Sequence, residues 1–175
     1  MIENISYLKG IKYLLCNHSF KITFWFRLGS YLKMKDQFIY KILYFLVFII
    51  HKHNQYLTGI QLPLGTPIGR SLTFPHFSCI VINGKASIGD NCTIFQGVTI
   101  GSTRGLKGGV PFIGDNVVIC AGAKIIGNVK IGNNVIIGSG AVVVNDIPDN
   151  SVAVGIPAKV VSKNGKINVE YYLIN

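Results

Sequence analysis

Between Ile82 and Val143 an aliphatic side chain recurs every six residues, at Ile82, Ile88, Ile94 and Ile100 and again at Ile113, Ile119, Ile125, Ile131, Ile137 and Val143. The one long step, from Ile100 to Ile113, inserts seven residues into a single unit. A six-residue period keeps the same side chain facing inward on extended chain, whereas on a helix of about 3.6 residues per turn it would drift round the surface. The segment is therefore β. Its Ile, Val and Thr content agrees, and its regular glycines and asparagines supply corners that need small side chains or positive φ. Three units close a triangular coil of roughly eighteen residues, stacked about 4.8 Å above the last by parallel pairing, with the ladder aliphatics filling the prism.

An earlier ladder at Leu62, Ile68, Phe74 and Ile80 runs two residues out of step with Ile82. Something between Phe74 and Ile82 bulges from the regular coil, and His76 lies inside it. The coils are expected to end near Val143, in the turn-rich stretch Asp146, Pro148, Asp149 and Asn150. Before Thr58 the pattern is helical: Tyr7, Leu8, Ile11, Leu14 and Leu15 repeat at three and four, then Phe24, Leu28, Tyr31 and Leu32. A third helix is expected from Gln37, capped by Asp36. The organisation is a helical region over 1–57, a β-coil domain over 58–162 and a polar tail over 163–175.

Residues 38–50 of that third helix are the most apolar stretch of the chain, yet thirteen residues span only about 20 Å as a helix, short of a bilayer core of about 30 Å. Two readings remain. The helix packs against the prism or a neighbouring subunit, or it lies at a membrane interface with Lys33, Lys35, Lys41 and Lys52 on anionic lipid.

The formal net charge is +10, and residues 1–60 carry eight basic and two acidic side chains. This balance suits anionic membrane surfaces or phosphorylated substrates. Nucleic acid is disfavoured, because the cations are interleaved with large aliphatics and no nucleic-acid module is visible. Cys16, Cys79, Cys92 and Cys120 lack metal-type spacing, and we expect reduced, buried thiols of a cytoplasmic protein. No secretory leader is recognisable at the start. His18, His51 and His53 read as solvated or capping side chains, and no metal site is expected.

The ladder, the runs Ile68–His76 (IGRSLTFPH), Gln96–Gly101 (QGVTIG) and Ala121–Ile125 (AGAKI), and Gly155–Ala158 (GIPA) resemble the serine acetyltransferase branch of the hexapeptide acyltransferases over about residues 58–162. The resemblance implies a mainly β fold, a left-handed parallel β-helix after a short helical N-terminal region, a homotrimer, and acetyl-CoA as donor. An alcohol attacking a thioester needs a base, and histidine titrates near working pH. His76 matches the family's catalytic histidine. The resemblance places Gly101, Ser102, Ala121 and Lys159 against the cofactor; Arg104, a cation of the loop beside the expected thioester site, is expected to join them, and Asn83, Gln96 and Lys107 are expected against the acceptor. The loop Ser102–Phe112 either covers the reaction or is a solvated tip.

Two departures bear on the acceptor. Gly108-Gly109-Val110-Pro111 stands where the family has Asp-Arg-His-Pro to hold serine, and Gln61 stands where an aspartate orients the histidine. The base then relies on a backbone carbonyl or a carboxylate from elsewhere. With the short basic helical region, these departures lead to the expectation of a sugar hydroxyl in a surface polysaccharide as acceptor, with peripheral contact at the inner membrane face. Serine is the alternative acceptor. A non-catalytic scaffold or binding module is the alternative of another class.

Overall fold

The structure is a computed structural model that describes residues 14, 16–105 and 108–173. Among the described residues two helices, α1 (His18–Lys33) and α2 (Phe38–Thr58), precede thirteen short strands, and a further helix, α3 (Gly165–Leu173), follows them. The first face of the prism stacks β1 (Ile60–Gln61), β2 (Ile80–Ile82), β5 (Thr99–Gly101), β8 (Lys124–Ile126) and β11 (Val142–Val143). The second stacks β3 (Ser87–Ile88), β6 (Phe112–Ile113) and β9 (Lys130–Ile131). The third stacks β4 (Thr93–Ile94), β7 (Val118–Ile119), β10 (Ile136–Ile137), β12 (Val152–Val154) and β13 (Lys159–Ser162). The fold is mainly β, a left-handed parallel β-helix with short N-terminal helices. The ladder residues from Ile82 to Val143 are at most 2% exposed and form its core.

Register shows where the coil is irregular. Regular turns pair residues eighteen apart, as in Val81 with Thr99 and Phe112 with Lys130. Ile60 pairs with Ile80 and Thr73 with Thr93, twenty apart, so the first coil carries two extra residues. Ile88 pairs with Ile113, twenty-five apart, which is the seven-residue insertion. The coils do not end near Val143: Ile131 bridges Ile147 and Ile136 pairs with Val152, sixteen apart, so a coil shortened by two continues the stack. The turn-rich stretch there is a tightened corner. Only β13 reverses direction, pairing antiparallel with β12, and the tail beyond it forms α3.

Two side-chain ladders hold the corner between the second and third faces. Asn91, Asn116, Asn134 and Asn150 all adopt φ of 55–57°, and each Nδ2 donates to the Oδ1 of the next, at 2.9–3.1 Å. The backbone N–H groups of Arg70 and Asp90 donate to Asp90 and Asp115 of the following coil. Gly89 is glycine because a Cβ would lie 2.7 Å from the backbone of Gly114.

The helices cover the open edge of the first coil. Ser19 Oγ accepts from the Phe74 N–H, Arg27 donates to the carbonyls of Ile68 and Gly69, Ser30 Oγ accepts from Gly65, and Lys33 donates to Leu64. From α2, His51 Nε2 lies 2.8 Å from the Leu62 carbonyl and Gln55 donates to the same oxygen. Gly29 lets α1 approach, since a Cβ there would meet the Leu64 and Val47 side chains.

Several expectations are corrected. Gln37, not Asp36, is the N-cap of α2, and its side chain makes no capping bond. The helix runs to Thr58 and ends on Gly59 at φ 67°. The first expected helix falls largely outside the described residues. His51 is neither solvated nor a cap but 1% exposed, because the Leu62 carbonyl draws it inward. Of the cysteines only Cys92 is buried; Cys16 and Cys79 are exposed and Cys120 is half-buried. Among the described residues no helix is long and apolar enough to cross a membrane.

A carbonyl can only accept, so Nε2 of His51 carries the proton. Burial holds the imidazole below its ordinary value of 6.5, outweighing the Leu62 bond. The unfolded chain therefore takes up a proton that the folded one refuses, and stability falls as pH drops below 6.5 and is regained above it. Melting temperature measured against pH should show this slope, and His51→Gln, which still donates to Leu62, should flatten it; an equal slope in both proteins would count against the assignment.

Candidate active site

The two extra residues of the first coil lie where its third face turns into its first. In later coils this corner is a tight stack of glycines at positive φ, with Gly97 at 73° and Gly122 at 73° in near contact. The first coil instead runs Pro75, His76, Phe77, Ser78, Cys79, with Ser78 at φ 124° and Cys79 at φ 52°, conformations that non-glycine residues seldom adopt. This detour keeps Ile80 in the ladder and pushes His76 and Phe77 outward, both exposed. It also turns Cys79 out of the core, where the sequence pattern had placed it.

The start of α1 forms the opposite wall. Asn17 caps that helix by accepting from the Phe20 N–H, and with Cys16, His18 and Ser19 it encloses a cleft of about 360 Å³ against Thr73–Phe77. His18 stacks on Phe77 at 4.1 Å between ring centroids and 21° between planes. His18 was expected to be a solvated or capping side chain, and nothing in its spacing signals this role. The His76 ring lies 6.0 Å from Phe95, which in turn meets Tyr172 of α3 edge-on at 6.1 Å. Among the described residues His76 has no side-chain hydrogen-bond partner, and Gln61 lies exposed on β1.

The remaining expected site residues divide between two edges. Gln96 and Ala121 follow His76 up the corner between the third and first faces. Asn83, Gly101, Ser102 and Arg104 lie on the corner between the first and second faces, where Asn83 Nδ2 donates to Ser102 Oγ at 3.2 Å. Lys159 is on β13 at the far end of the stack, exposed. Lys107 lies outside the described residues. A single chain therefore does not gather all of them round His76.

The inserted loop folds back as a small hairpin, with Thr103 and Gly109 exchanging backbone hydrogen bonds at 3.1 and 3.3 Å. Gly109 has no room for a side chain, since a Cβ would lie 2.6 Å from that of Asn128. A cation cannot occupy this position without displacing Asn128.

Two of the thiols, Cys92 and Cys120, are poorly placed for nucleophilic chemistry. Burial pushes the Cys92 thiol up to about 12. Burial also raises Cys120, partly offset by a hydrogen bond from Tyr172. Since thiolates are the nucleophiles, both are suppressed.

Residues 111–145 match the family model described as bacterial transferase hexapeptide (six repeats). The chain is 45% identical over 124 residues to a serine acetyltransferase of Staphylococcus xylosus, covering 70% of this chain and 57% of that protein. A serine acetyltransferase structure in complex with CoA superposes with TM-score 0.70 at 29% identity, covering 85% of this chain and 59% of that one. The Neisseria gonorrhoeae serine acetyltransferase in complex with serine gives TM-score 0.72 at 30% identity, covering 86% and 60%. The chain thus spans little more than half the length of these relatives.

These likenesses overturn the polysaccharide acceptor. That expectation gave one substituted loop and a basic helical region more weight than the 124 residues over which the chain is 45% identical to a serine acetyltransferase. The Gly109 substitution is explained locally by Asn128 and carries no positive signal for a sugar.

Maleimide labelling of the native protein should modify Cys16 and Cys79 quickly and Cys92 only after unfolding. Mass spectrometry of the labelled peptides reads this directly, and native labelling of Cys92 would contradict the described packing.

The prism, its register breaks and the matched repeats together make the chain similar to the hexapeptide-repeat acyltransferases, with the bacterial transferase hexapeptide itself matched over residues 111–145.

Proposed function

We propose that the protein transfers the acetyl group of acetyl-CoA to the hydroxyl of serine. What carries this reading is an exposed histidine at the one opened corner of a prism that is 45% identical to a serine acetyltransferase. His76 accepts the proton of the serine hydroxyl as its oxygen attacks the thioester carbonyl. The tetrahedral oxyanion collapses, the carbon–sulfur bond breaks, and the departing thiolate takes the proton back from the imidazolium. The products are O-acetylserine and CoA, with His76 restored. Backbone N–H groups near the corner suit the oxyanion, which gains most from donors fixed in advance.

Under this reading Arg104 meets a CoA phosphate, with Gly101, Ser102, Ala121 and Lys159 along the cofactor. Asn83, Gln96 and Lys107 hold the acceptor, and Lys107 answers the serine carboxylate in place of the cation excluded at Gly109. The division of these residues between two edges supports a homotrimer in which one copy's His76 edge faces its neighbour's Asn83 edge. Phe95 and Tyr172 limit the freedom of the imidazole in the absence of a hydrogen-bonded carboxylate.

Purified protein given acetyl-CoA and serine should release CoA, and His76→Ala should cut the rate by about a hundredfold or more. No release with serine, or full activity in His76→Ala, sinks the proposal. Lys107→Ala should raise KM for serine on the order of tenfold while sparing that for acetyl-CoA, and Arg104→Ala should do the reverse. Steady-state kinetics with each substrate varied separates the two roles.

A further inference from the structure

We propose that the outer face of α2 docks on a membrane surface containing anionic phospholipid. The helix is inverted relative to an ordinary surface helix, in which the apolar stripe faces the protein. Its buried residues are Val47, His51, Asn54 and Thr58, three of them polar. On the opposite side Phe38, Ile42, Phe45 and Ile49 follow one another at spacings of four, three and four, and are 79, 44, 61 and 49% exposed. An apolar face this continuous is unusual on a soluble surface and marks an interaction site.

Charge selects the occupant. From residue 14 to residue 60 the chain has six basic side chains and a single acidic one, Asp36. Lys41 and Lys52 are both exposed and occupy the strip beside the apolar row. Lys41 lies one turn from Phe45, and Lys52 Nζ sits 6.0 Å from the Phe48 ring. A helix lying in the interface with Phe45 and Ile49 below the headgroups sets these ammonium groups at the level of lipid phosphate. A second copy meeting the same face would bring lysines toward lysines, with no carboxylate on either helix to answer them. The surface is independent of the acetyl-transfer chemistry, so either proposal can fail without the other.

The test uses the full chain and sedimentation with two kinds of vesicle, phosphatidylcholine alone and phosphatidylcholine mixed with phosphatidylglycerol. Binding is expected to the mixed vesicles only and to weaken as salt rises. The double variant Lys41→Gln, Lys52→Gln should lose on the order of tenfold in affinity. Phe45→Ser with Ile49→Ser should abolish sedimentation while keeping the helical circular dichroism of the parent, which guards against misfolding. Equal binding to both vesicles, or none to either, overturns the proposal. So does a parent protein that ignores vesicles but falls to a smaller species on size-exclusion when Phe45 and Ile49 are replaced, since that outcome assigns the face to a second copy.

Discussion

A stack of parallel coils must end somewhere, and its last turn presents backbone donors and acceptors with no further coil to pair them. Inside the prism this does not arise, because each strand satisfies the next. At the first coil it does, and six side chains from α1 and α2 meet the exposed groups between Leu62 and Phe74. Each such bond contributes about 1 kcal/mol net, and at the Leu62 carbonyl, where the partner His51 is buried, leaving the pair unmade would cost about 1–3 kcal/mol. The far end is closed differently, by β13 reversing against β12 and by α3 burying Val169 against Val118 and Ile136.

The same stacking rule confines the chemistry to places where it is broken. In regular coils the corner beside His76 is a column of glycines, Gly97, Gly122 and Gly140, at φ of 68–73°, a conformation that residues with side chains rarely adopt. Two additional residues in the first coil open that column, and the first coil is also the one with a helix along its edge. The cleft is therefore made by the cap as much as by the coil: Asn17, His18 and Ser19 supply one wall because α1 must begin there for Ser19 to reach the Phe74 N–H. The cleft beside His76 and the end cap share a single helix.

The prism and both register breaks were legible because a six-residue beat is a direct readout of one inward-facing position, and any slip in it is countable. The two-residue shortening of the coil beyond Val143 was not, since Ile147 and Val152 are spaced like ordinary loop residues and only the pairing reveals the coil. His76 could be found from the slip, whereas His18 could not, because its partner Phe77 is distant in sequence and stacking leaves no periodic trace. His51 was misread for a related reason. A histidine on an apolar helix looks like a surface residue until a carbonyl that needs a donor is placed beside it. The acceptor was misread because a missing cation at Gly109 looked like a change of substrate, when the crowding by Asn128 gives it a local cause.

The polarity of α2 follows from the cap. A helix that must present His51, Asn54, Gln55 and Thr58 to the protein cannot also present an apolar stripe there, so its hydrophobic side chains have nowhere to go but outward. On its inner side the helix is held by the His51 and Gln55 bonds to Leu62 and by Val47 packed beside Gly29 of α1. Under the docking proposed above, a membrane surface covering Phe38, Phe45 and Ile49 would add to that anchoring, because ordering the twenty-one residues costs conformational entropy that the inner face alone must otherwise offset.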